Sequence, residues 1–127
     1  MSRIADTHVL LWSAFKSASL SSRARAILSD TSVPIYFSLA SVWEIAIKLA
    51  VKKIDLPESL PDFVRGLRAR GFLILTIEVA DAVRVAELPL HHRDPFDRML
   101  VAQAQQRRFG MISADPMLAP YGVDVLW

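Results

Sequence analysis

The chain has 127 residues, with 15 Lys plus Arg against 13 Asp plus Glu and a formal net charge of +2. That length suits one domain, and a hydrophobic fraction of 53% suits a compact core and excludes disorder. The lack of cysteine excludes disulfides, zinc–thiolate sites, iron–sulfur clusters and cysteine nucleophiles.

In chain order, Arg3-Ile4-Ala5 predicts a short first strand and Thr7 to Phe15 a helix. Leu20 to Leu28 predicts a second helix, with Ser21 or Ser22 as its N-cap. Pro34 to Ser38 is β-branched and aromatic, hence a strand, and Ser41 to Lys53 follows as a long helix. Pro61 to Arg70 has Pro early and Gly71 just past its end, as a helix prefers. Phe72 to Thr76 reads as a strand, Glu78 to Leu88 and Asp94 to Arg108 as helices. Met111 to Ser113 and Val123 to Trp127 close the series as strands. Alternating strands and helices imply an α/β fold: about five short parallel strands with helices on both faces, one domain over 1–127. Arg3, Asp6 and His8 interrupt any signal-peptide core, and no apolar run approaches the ~20 residues that cross a bilayer, so a soluble cytoplasmic protein is expected.

Ligands of such folds bind beyond the carboxyl ends of the strands. Four acids fall there or at helix starts: Asp6 after the first strand, Glu44 early in the long helix, Asp97 in the first turn of its helix and Asp115 after Met111-Ile112-Ser113. Should they converge, they cannot all stay ionised without cations, and Mg²⁺ or Mn²⁺ is the natural counter-charge. Each acid alone also suits helix capping. Ser41-Val42-Trp43-Glu44 has the layout of a capping box, as does Asp94-Pro95-Phe96-Asp97, and Asp115 precedes Pro116. Asp97 shares its helical face with Leu100, Val101 and Ala104 and so points inward, whereas Asp94 looks like the cap. Glu44, Lys48 and Lys52 form one narrow charged stripe. It is either a solvated face with a Glu44–Lys48 pair, or the edge of an acidic cleft with lysines ready for phosphate.

Together these residues resemble a known pattern. The stretches Ile4 to Trp12, Ser41 to Lys48, His92 to Ala104 and Ile112 to Asp115, in this order and at these separations, are similar to PIN-domain proteins, and specifically to VapC-like toxins of type II toxin–antitoxin pairs. The resemblance implies a metal-dependent endoribonuclease that cleaves RNA through metal-activated water, with one or two Mg²⁺ or Mn²⁺ ions. The family's acids carry over onto Asp6, Glu44, Asp97 and Asp115 as catalytic residues and metal ligands. Asp94 is the neighbouring alternative for the third acid, and Thr7 and Ser113 are supporting hydroxyls. Lys48, Lys52 and Arg98 are candidate RNA phosphate contacts. A cognate antitoxin and a homodimer are also implied, with the region of Trp12, Phe63 and Leu67 as a contact surface unless these residues are core. His91 or His92 could act as a general base or as a ligand with Asp94, but neighbouring side chains in an extended segment point opposite ways, so both do not share one metal, and surface or capping parts are expected for His8, His91 and His92.

Rival functions fit less well. A receiver-like module needs paired acids at the first strand exit, where Asp6 stands alone. An aspartate-nucleophile phosphatase needs a second Asp where His8 stands. The serious alternative is a non-catalytic PIN-fold module that binds RNA or protein, against which the four retained acids argue.

Overall fold

The computed structural model describes residues 1–127. Strand β1 (Arg3–Ala5) leads into α1 (Thr7–Phe15), a 3-10 turn and α2 (Ser22–Ser29). Strand β2 (Ile35–Ser38) passes without a linker into α3 (Leu39–Ala50), followed by α4 (Leu60–Ala69) and β3 (Leu73–Leu75). Helices α5 (Val79–Glu87) and α6 (Pro95–Arg107) precede β4 (Gly110–Ile112), a 3-10 helix (Pro116–Tyr121) and β5 (Val125–Leu126). The five strands form one parallel sheet in the order β3-β2-β1-β4-β5.

Successive strand residues face opposite ways and therefore feed two cores. Ala5, Phe37 and Ile112 pack with Val9, Leu10, Phe63 and Leu67 on one face. Ile4 and Met111 pack with Leu100, Val101 and Ala104 on the other. Both sheet faces are thus covered, as a parallel sheet requires. Phe63 and Leu67 are fully buried and belong to the core, whereas Trp12 is half-buried and packs on Trp127.

One expected boundary is corrected. Helix α3 starts at Leu39 and is capped by Ser38, whose hydroxyl accepts from the Ala40 N–H at 3.0 Å. Ser41 and Glu44 therefore form no capping box; both lie inside the helix and are buried. The helix also ends at Ala50, because Lys52 adopts a left-handed φ of 58° that a helix cannot continue through.

From β1 the chain runs outward to β2 and β3, then returns to place β4 on the other side of β1. That reversal opens a crevice at the carboxyl ends of β1 and β4, the usual ligand position in an open α/β sheet.

Candidate metal centre

Asp6 and Ser113 leave β1 and β4 side by side at this crevice. The Asp6 N–H donates to the Ile112 carbonyl at 3.0 Å, continuing the ladder one residue past the strands. Asp6 then caps α1, with one carboxylate oxygen accepting from the Val9 N–H at 2.9 Å and the other from the Ser113 hydroxyl. Only 5% of Asp6 is exposed. Burial raises its pKa above the ordinary 3.8, and the Ser113 and Val9 hydrogen bonds offset part of that rise.

Glu44 reaches the same region from α3 and is 2% exposed. Its Oε1 lies 2.6 Å from Thr7 Oγ1 and its Oε2 lies 2.5 Å from Lys48 Nζ. Thr7 Oγ1 also sits 2.9 Å from Ser41 Oγ. A hydroxyl has one proton, so Thr7 donates to the carboxylate and accepts from Ser41. Glu44 raises the pKa of Lys48, which also senses Asp94 and Asp97 and so faces the acids. Glu44 and Lys48 therefore border the acids, and the stripe does not extend to Lys52. Lys52, past the helix end, is exposed beside Lys53 and Asp55.

Asp94 caps α6, accepting from the Phe96 and Asp97 N–H groups at 2.8 and 3.1 Å. Asp97, one turn in, keeps a fifth of its side chain exposed. Burial pushes its pKa up to about 7, with the negative charges of Asp94 and Asp6 adding to the rise. Asp115 caps the following 3-10 helix, accepting from the Met117 N–H at 2.9 Å, while its own N–H donates to Ser113 Oγ at 3.0 Å.

The sequence pairs His92 with Asp94 or with a capping part, and the structure adds a contact the sequence does not show. The His92 Nε2 lies 2.8 Å from Asp115 Oδ2 and 3.2 Å from Asp97 Oδ2. Donor atoms of His92, Asp97 and Asp115 all fall within 4.8 Å of one another. A signal was present in His92-Arg93-Asp94-Pro95, because a side chain two residues before a cap is placed to meet the cap's N–H. His91 points elsewhere, edge-on to Tyr121, and His8 lies against Trp12.

Arg98 is placed differently from expectation. Its terminal nitrogens donate to the carbonyls of Pro89, Val85 and Leu88 at 2.8, 3.1 and 3.3 Å and to Tyr121 Oη at 3.1 Å. Those bonds clamp the loop after α5, so this guanidinium is engaged inside the protein and not held out to phosphate.

Asp97 and Asp115 meet at this crevice with Asp6 nearby, and Asp97 is pushed toward neutrality by burial and then by the negative charges around it. Hard carboxylate oxygens in that state suit a hard divalent cation, so the residues fit such an ion.

The PIN domain family model matches residues 3–122. No curated protein matches the chain. Among solved structures, VapBC2 from Rickettsia felis, bound to a DNA fragment from its promoter, is 11% identical, with 98% of this chain and 97% of that one covered and a TM-score of 0.71. DNA-bound VapBC from Salmonella typhimurium is 16% identical, with 98% and 96% covered and a TM-score of 0.70. A toxin-antitoxin complex from Klebsiella pneumoniae is 23% identical, with 90% and 87% covered and a TM-score of 0.55.

Proposed function

This chain belongs to the PIN domain family, and on that premise we propose that it is a metal-dependent endoribonuclease acting as the toxin of a toxin–antitoxin pair. The observation that carries the reading is the cluster of Asp97, Asp115 and His92, whose donor atoms lie within 4.8 Å of one another, with Asp6 near enough for its charge to add to the rise of the Asp97 pKa to about 7. PIN domains are generally nucleases that use divalent metal.

Asp6, Asp97 and Asp115 would hold Mg²⁺ or Mn²⁺, with Glu44 as a further ligand or as the group orienting water. When bound, such an ion supplies positive charge to a phosphodiester and makes water a better nucleophile near neutral pH. The protein's own part is orientation. Ser113 and the Val9 N–H fix both oxygens of Asp6, Thr7 fixes one oxygen of Glu44, and Lys48 sits where a phosphate entering the cleft would meet it.

A cognate antitoxin and a second copy of the chain are the proposed protein partners. Trp43 and Val83, 60% and 56% exposed, stand on α3 and α5, which share an apolar cavity of about 240 Å³ lined by Ala40, Trp43, Val85, Phe96 and Met99. Exposed apolar area of this kind suits protein contact. No helix is long and apolar enough to cross a membrane, which is compatible with the proposed cytoplasmic site of action.

The test is cleavage of single-stranded RNA by the purified chain. Cutting is expected with Mg²⁺ or Mn²⁺, lost with EDTA, and lost in Asp6→Asn with the circular dichroism spectrum retained. Cleavage by Asp6→Asn at the wild-type rate would overturn the assignment.

A further inference from the structure

The hydrogen bonds of His92 specify its chemistry. Nδ1 accepts from the Asp94 N–H at 3.0 Å and therefore carries no proton. The proton of the neutral ring is on Nε2, which faces Asp115 Oδ2 at 2.8 Å and Asp97 Oδ2 at 3.2 Å. One N–H thus sits between two carboxylate oxygens, in the place that a cation shared by them would take.

The ring is held there from behind. The His92 backbone N–H donates to Tyr121 Oη at 2.8 Å, and Arg98 donates to the same oxygen and to the carbonyls of Pro89, Val85 and Leu88. Binding a metal through Nε2 would require the proton to move to Nδ1, where it would oppose the Asp94 N–H. His92 is accordingly built as a donor and not as a ligand.

We propose that His92 is a positioning residue, a placeholder that uses its Nε2–H to bridge Asp97 and Asp115 when no metal is bound and that a divalent cation must displace. This rests on the metal-dependent reading above. The ring lowers the repulsion between two acids in the metal-free protein and opposes metal entry by the same contact. Metal affinity is then set partly by a residue that never coordinates it.

The test is Mn²⁺ binding to the purified full chain by calorimetry at pH 8, for wild type, His92→Ala and His92→Gln, each checked for its folding transition. His92→Ala is expected to bind Mn²⁺ about tenfold more tightly, about 1.4 kcal/mol. His92→Gln retains a side-chain N–H donor and is expected to return toward wild-type affinity. Ring ¹⁵N NMR gives the second measurement. Metal-free wild type should show His92 as the Nε2–H form, and saturating Mg²⁺ should shift its signals while His8 and His91 stay unchanged. Weaker binding by His92→Ala makes the ring a ligand and overturns the proposal. Unchanged binding, or an Nδ1–H ring in the metal-free protein, overturns it as well. Failure of wild type itself to bind Mn²⁺ overturns both this inference and the nuclease reading, whereas wild-type binding with an indifferent His92 removes this inference alone.

Discussion

Replacing Asp97 with Asn should make the metal-free protein more stable at pH 8. A carboxyl pushed from 3.8 to about 7 is opposed in its ionised form, by roughly 4 kcal/mol at about 1.4 kcal/mol per pH unit. A fifth of the side chain is in water, and solvent screening reduces the usable figure to about 2 kcal/mol. Asparagine keeps the volume and an oxygen that can still accept from His92, but carries no charge. The sign follows from the raised folded-state value. Well below pH 3.8 the acid is neutral in both folded and unfolded chains, so it costs nothing. As pH rises from about 4 to about 7, the unfolded chain ionises while the folded one resists, and wild type loses stability that the Asp97→Asn variant retains. Thermal unfolding in EDTA should therefore give midpoints that converge near pH 3 and a gain of roughly 6–10 °C for Asp97→Asn at pH 8. Saturating Mg²⁺ should reverse the order, because a ligand of the folded state stabilises only the form that binds it. A variant no more stable than wild type at pH 8, or a gain independent of pH, would refute the claim that an ionised, buried Asp97 destabilises the metal-free fold.

Three other changes test the framework around the acids. Asp81 is fully buried and gripped by both terminal nitrogens of Arg107 at 2.7 and 2.9 Å; Arg107→Ala should cost about 3–5 kcal/mol in urea unfolding by leaving that charge alone. Burial alone would raise the Asp81 pKa, but the Arg107 pairing lowers it overall, so its stabilisation should be present above pH 4 and fade as pH falls further. Thr7→Val removes a donor to the buried Glu44 and should cost about 1–3 kcal/mol by chemical denaturation together with a drop in RNA cleavage. Arg98→Lys cannot serve three carbonyls and a phenol at once; hydrogen exchange should quicken in the loop before α6 while α1 stays protected.

Legibility in the sequence tracked how local each interaction is. Asp94-Pro95 announces the start of α6 because the cap and the proline act within one turn, and the apolar face of Leu100, Val101 and Ala104 then orients Asp97. Asp6 and Asp115 were likewise readable from their places after short strands. Local likeness also misled. Ser41 and Glu44 have the spacing of a cap, but Ser38 is at once the last residue of β2 and the cap of α3, so the helix begins earlier and turns both inward. What Ser41 and Glu44 share is Thr7, more than 30 residues away, a pairing made only by the parallel contact of β1 with β2. The long-range partners of His92 and Arg98 are hidden for the same reason. His92 meets Asp115 across 23 residues and Arg98 meets carbonyls that loop back behind it; neither partner is visible in a helical or strand period.

The structure also changes what the net charge of +2 means. Setting aside Asp6, Glu44, Asp97 and Asp115 leaves 9 acidic residues against 15 basic ones, a body suited to an RNA backbone. The pocket itself is less negative than four carboxylates suggest. Glu44 is already paired with Lys48 at 2.5 Å. Asp97, with its pKa near 7, is about half protonated at that pH. Around Asp97 the charges of Asp94 and Asp6 add to the burial that raises its pKa. On the proposed metal-dependent reading, a divalent ion held in this pocket would offset that negative charge and so let a phosphodiester backbone approach the acids.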